Sequence, residues 1–134
     1  ILEMAGVKEY STVQTTDGMS FADVLRNPST RHERSIVWHF PNLWGETQNT
    51  EEGYGAYSSI LKGDYHLIYH WETQQRRLYN VRADIGEQHD LALEQPAIAE
   101  ALARELTDYL KSTDAQRPTY IATGEACPHP DGSK

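Results

Sequence analysis

A chain of 134 residues has room for one domain with one hydrophobic core, and 38% hydrophobic residues is low for a globule that stands alone. A formal charge of −8 excludes a nucleic-acid surface, which needs clustered Lys and Arg, and it confines any anion recognition to a local site. The single cysteine, Cys127, excludes an internal disulfide, and no apolar run approaches the ~20 residues of a membrane-spanning helix.

Residues 1–7, Ile-Leu-Glu-Met-Ala-Gly-Val, read as the last turn or two of a helix with Gly6 just past its end. A helix met halfway leads us to expect more chain before Ile1. A polar stretch to Thr16 is a loop, and Asp17-Gly18 signals a turn. Ser20 can cap a short helix over 21–26, with Phe21, Val24 and Leu25 on one face, stopped at Asn27-Pro28. Residues 34–40 are β-branched and aromatic and predict a strand closed by Pro41. Residues 42–55 are rich in Gly, Asn, Thr and Glu and form a long loop, of a length that tends to carry function.

Two strands are predicted over 56–61 and 65–72, joined by a hairpin at Lys62-Gly63-Asp64 with Gly63 where positive φ is needed. A second turn at 73–75 leads into a strand over 76–81. Alternation sends Tyr65, Leu67, Tyr69 and Trp71 to one face and His66, Ile68, His70 and Glu72 to the other. Bulky groups on both faces mean that both are covered in some part. After a loop over 82–95, Pro96 opens a helix in which Ile98, Leu102, Leu106, Tyr109, Leu110 and Thr113 recur at helical spacing. From Gln116 onward the chain reads as an irregular tail. The fold class is α+β: an antiparallel sheet of about four strands against one long C-terminal helix, with a short N-terminal helical segment.

The catalytic readings fail in turn. His66 and His70 are four apart, but in a strand that spacing leaves them about 13 Å from each other, too far to share one metal ion. Cys127 lies among prolines with no base or helix terminus to activate it. Asp84, Glu87 and Asp90 lack the alternating oxygen ligands of a calcium loop and read as turn and cap formers. We therefore expect no catalytic and no metal residues. The candidate substrate contacts are His39 and Trp44, an imidazole and an indole at the end of a strand and in the loop after it, suited to stacking on a sugar. The plainer alternative is that Trp38 and Phe40 are core residues and only His39 faces outward, which strand alternation supports in part.

Four ordered blocks carry a family resemblance. Leu2-Glu3-Met4-Ala5-Gly6-Val7 with Asp17-Gly18-Met19-Ser20-Phe21 and Leu25 comes first, then Arg34-Ser35-Ile36-Val37-Trp38-His39-Phe40-Pro41. Ile60-Leu61-Lys62-Gly63-Asp64-Tyr65-His66-Leu67-Ile68-Tyr69 follows, and then Leu78-Tyr79-Asn80-Val81 with Asp84-Ile85-Gly86-Glu87-Gln88-His89-Asp90-Leu91-Ala92. In this order they resemble the end of the type I, formylglycine-dependent bacterial sulfatases and arylsulfatases. Leu61 and His66 depart from the family, which often has Arg and Lys there, so no substrate role passes to either.

The formylglycine motif Cys/Ser-x-Pro-Ser-Arg is not present: Arg26 stands two before Pro28, and Pro128 directly follows Cys127. The resemblance implies that residues 1–30 are the tail end of a catalytic domain and its junction, 31–115 the C-terminal subdomain, and 116–134 a tail. It implies a parent sulfuric ester hydrolase that uses calcium and formylglycine, with the catalytic Lys and His upstream and no cofactor in this chain. The chain would help shape the cleft for a sulfated glycan or aryl sulfate without being catalytic itself. Its expected partners are the catalytic domain, which the second sheet face meets, and a sulfated carbohydrate; a homodimer of the chain alone is also expected, and no nucleic acid or membrane. A periplasmic or secreted location is implied. The alternative is a free-standing carbohydrate-binding or interaction module.

Overall fold

The computed structural model describes residues 1–14, 16, 18–42 and 55–134. It divides into two units, Ile1–Glu33 and Arg34–Lys134. In the first, residues 1–7 form one helical turn. Ala5 N–H bonds the carbonyl of Ile1, Gly6 that of Glu3 and Val7 that of Leu2, with Gly6 at φ 81°. This paired closure with a left-handed glycine is a Schellman end, as the sequence indicated. The short helix α1 spans Ala22–Arg26. Ser20 Oγ accepts the Ala22 N–H at 3.3 Å while its hydroxyl donates to Glu3 Oε2 at 2.5 Å, so it organises the entry to the helix from two residues back. Arg26 and His32 pair with Glu3 and Asp23.

The second unit holds strands β1 (Ser35–Phe40), β2 (Tyr57–Lys62), β3 (Tyr65–His70) and β4 (Arg76–Asn80), and helix α2 (Pro96–Ser112). The strands form one antiparallel sheet in the order β1-β2-β3-β4. The pairing of Lys62 with Tyr65 leaves a two-residue turn, and Gly63 takes it at φ 58°. That turn fixes the register, which aligns Val37, Ile60, Leu67 and Leu78 in one row and His39, Ser58, Tyr69 and Arg76 in the next. Both rows lie on the side that α2 covers.

The helix closes the core through Leu102, Leu106 and Leu110, packed with Ile60, Leu67 and Leu78. Ala99 and Ala103 let its backbone come close to the sheet. Thr107 is buried where the stripe would have an apolar residue; its hydroxyl accepts the N–H of Asp131 at 3.1 Å. Tyr109 departs from the expected stripe: it is 46% exposed, because its position turns it past the edge of the buried arc. Two ion pairs tie the helix to the strands, Arg76–Glu100 at 2.9 Å and Lys62–Glu105 at 2.6 Å. Burial acts to raise the Glu105 carboxyl, but hydrogen bonds from Lys62 and Ser35 outweigh it and hold the group low.

Residues 116–134 contain one β-bridge, Thr119 to Ala126, and fold back over the core. Cys127 and Pro130 are buried there, and the Tyr69 hydroxyl donates to the Pro128 carbonyl at 2.9 Å. The segment is irregular in backbone, yet it packs under and against the sheet. No helix among the described residues is long and apolar enough to cross a membrane.

Candidate functional site

Of the two residues expected to touch substrate, Trp44 lies outside the described residues. His39 is described, and it faces the helix side rather than outward. Its Nε2–H donates to the Gln116 carbonyl at 2.8 Å. In the neutral ring Nδ1 is then an acceptor, and the Ser58 hydroxyl donates to it at 2.7 Å. The Ser58 oxygen accepts the indole N–H of buried Trp71 at 2.9 Å. Every polar group in this chain of bonds is satisfied, so His39 ties the tail to the sheet. The orientation of β1 is thus the reverse of that plainer alternative: Trp38 stands 47% exposed on the opposite side. Alternation correctly separates Trp38 from His39, but which of them faces the helix is decided by the pairing with β2.

That opposite side is the open face of the sheet. Among the described elements only α2 packs on the strands, and it lies on the other side. Three rows cross the open face: Ile36, Leu61, His66 and Tyr79; Trp38, Ser59, Ile68 and Arg77; Phe40, Tyr57 and His70. Ser59 is a small residue in a ring of larger ones, and a concavity of about 440 Å³ forms there. Its lining includes Tyr57, Ser59, His66, Ile68, His70 and Arg77. The loop after β4 supplies one wall through Gly86 and Glu87.

His66 Nδ1 donates to Glu87 Oε1 at 2.6 Å. A carboxylate only accepts, so this bond fixes the tautomer and leaves Nε2 of the neutral ring as an acceptor. Nε2 is buried and has no hydrogen-bond partner among the described residues, and the same holds for Nδ1 of His70. Burial, and secondarily the Arg77 guanidinium, push His70 below the ordinary imidazole range. Burial raises the Tyr79 phenol. The indole of Trp38 meets the His66 ring edge-on, with centroids 5.8 Å apart.

Two of the three acidic residues after β4, Asp84 and Asp90, serve the backbone as expected, while Glu87 pairs with His66 instead. Asp84 Oδ2 accepts the N–H groups of Gln88 and His89, and Asp90 Oδ1 accepts those of Leu78 and Ala92. Leu91 N–H adds a bond to the Leu78 carbonyl, so this loop caps the outer edge of β4. Among the described residues no group of three or more His, Cys, Asp or Glu is placed to hold a metal. Cys127 is buried, and burial pushes its thiol up, away from the reactive thiolate. A second hollow of about 650 Å³ lies between the tail and the ends of β1 and β2, lined by Trp71, Arg117, Tyr120 and Cys127 among others. Sequence reasoning passed over Ser59 and Arg77, and it read Glu87 as a turn former where the structure makes it the partner of His66. The Gly63 turn was the available signal for Ser59, since it makes Ser59 and Ile68 neighbours on one face; the placing of Arg77 depends on the separate pairing of β3 with β4.

Four antiparallel strands under one long C-terminal helix make an α+β unit. No family model matches the chain. Over 138 residues the chain is 30% identical to a sulfatase of Formosa agariphila, a match that takes in 97% of this chain and 25% of that relative. The chain therefore spans about a quarter of the length of the relative it matches. Its fold is similar to part of BT4656, solved in complex with its substrate D-glucosamine-2-N,6-O-disulfate. The TM-score is 0.56 at 21% identity, over 87% of this chain and 23% of that one. At that identity the likeness is one of fold. The sequence likeness to part of a sulfatase supports the C-terminal subdomain of that family which the four sequence blocks resemble.

Proposed function

We propose that this subdomain closes one side of the active-site cleft of a sulfuric ester hydrolase acting on a sulfated glycan or aryl sulfate, and that it is not catalytic by itself. The observation that carries this reading is the one-sided sheet: α2 covers one face, while Ile36, Trp38, Leu61 and Ile68 lie on the other with no described element over them. A surface of that kind is suited to a larger partner. The match to a quarter of a sulfatase supports the remaining three quarters of such an enzyme as that partner. In this reading the formylglycine nucleophile, the calcium ligands and the catalytic Lys and His belong to the partner domain, the enzyme is periplasmic or secreted, and the glycan lies where the two parts meet. In this reading Trp44 would contact the glycan, while His39 acts from the sheet by holding the tail.

The reading frame upstream of Ile1 tests this. It should encode an α/β domain with a Cys/Ser-x-Pro-Ser-Arg motif. A secretory leader placed directly before Ile1 would instead identify a free-standing carbohydrate-binding or interaction module.

A further inference from the structure

We propose that the open-face concavity centred on Ser59 and Ile68 is a subsite for one sulfated pyranose unit, a site that presupposes the sulfatase reading above. The shape comes from the sequence. Ile68 forms the floor, and His66 and His70 stand two residues to either side of it on the same face of β3. Ser59 opens the dent, and Tyr57 and Tyr79 wall it. A pyranose presents apolar C–H faces and a rim of hydroxyls. An aliphatic floor between aromatic walls, with polar groups at both ends, matches that pattern. The volume of about 440 Å³ is within the roughly 300–1,000 Å³ of small-molecule sites.

Two ring nitrogens of the concavity are unspent. His66 Nε2 and His70 Nδ1 lack partners among the described residues, and a buried polar atom left so is costly until something satisfies it. The Glu87 bond has already set His66 Nε2 as an acceptor, the role a sugar hydroxyl requires of it. The Ser59 and Tyr57 hydroxyls add a donor and an acceptor each. Arg77 lies directly across the register from Ile68, with an exposed guanidinium held loosely by Gln75 Oε1 at 3.3 Å. It is the cation of the concavity, and its planar fork suits a sulfate group. The chain's net charge of −8 makes such a local cation the selective element for an anion.

The test is a ¹⁵N-resolved NMR titration of the whole chain with glucosamine 6-sulfate, with unsulfated glucosamine and inorganic sulfate as separate probes. Saturable shifts are expected at Ser59, Ile68, Arg77 and the side chain of His66, with dissociation in the millimolar range or tighter. Arg77→Gln should weaken the sulfated sugar at least tenfold and leave the unsulfated one unchanged. Ser59→Leu fills the dent and should abolish both; if it does not fold, His66→Phe serves in its place. Absence of shifts at high millimolar sugar, shifts confined to the hollow near Trp71, or equal shifts from inorganic sulfate alone would each overturn the subsite. Such a failure leaves the subdomain reading standing if the upstream frame still encodes the formylglycine domain.

Discussion

Leu106→Ala probes the packing on which the whole sheet-and-helix unit depends. Leu106 is 0% exposed, at the middle of α2, in the same cluster as Ile60, Leu67 and Leu78, themselves 0% exposed. The substitution removes three carbon groups, a transfer loss of about 2.4 kcal/mol at ~0.8 kcal/mol each. A cavity term is added because the site is held from two sides, by β2 to β4 below and by the helix backbone above, and cannot collapse fully. The sum should be about 3–4 kcal/mol, inside the range of about 2–5 for buried Leu→Ala changes. For a unit of this size the melting temperature should fall by roughly 12–30 °C, at about 4–8 °C per kcal/mol. Urea melts of wild type and variant give the free energy, and thermal melts give the shift. Tyr109→Ala, three residues on and 46% exposed, is the control and should cost well under half as much. Equal losses for the two, or an unchanged melt for Leu106→Ala, would refute the assigned helix face.

Ser58→Ala should destabilise by about 1–3 kcal/mol in urea melts, because it strands the buried Trp71 indole N–H and an acceptor on His39 together. His70 and His129 have folded-state values below the ordinary 6.5, chiefly because burial disfavours the imidazolium. The unfolded chain therefore takes up protons first as pH falls. Stability should be full above about pH 6.5 and decline below it, by up to about 1.4 kcal/mol per pH unit for each group, and His129→Asn should flatten part of that slope. The chain on its own should self-associate through its open sheet face. Sedimentation equilibrium should find dimers that strengthen with added salt, since screening relieves repulsion between chains of charge −8. Monomers at every concentration and salt, without binding of a hydrophobic dye, would show the face to be covered.

Much of the fold was legible. The strands over 57–62 and 65–70 are marked by the hairpin turn at Gly63 between them, and Pro96 with the Leu102, Leu106 and Leu110 spacing bounds the last helix. These signals are local, so a single sequence carries them. The facing of β1 was not legible. Alternation shows that Trp38 and His39 point opposite ways, while the choice between them depends on Ser58 and Gln116, far along the chain. Hydrophobicity alone argues for burying the indole and misses that the imidazole has two partners waiting. The tail was opaque for the same reason. Nothing periodic marks Cys127 or Pro130 as buried; they are buried because Trp71, Tyr69 and Thr107 offer a surface and hydrogen bonds to an irregular backbone. The concavity is a property of neighbours across strands, a serine among aromatic and branched residues, and it appears only once the register is drawn.

Aryl-sulfate hydrolysis measured in trans decides whether this chain completes a sulfatase. The product of the reading frame upstream of Ile1 and this chain are purified separately and assayed with calcium, each alone and then mixed. The chain alone should show no turnover, since it lacks the formylglycine motif, and a nucleophile and a polarising metal must both be supplied for the ester to be cleaved. The upstream product alone should be weakly active or inactive, and mixing should raise the rate while burying the Trp38 face. Turnover that stays with the purified chain, or an upstream product whose rate is the same with and without it, would contradict the account.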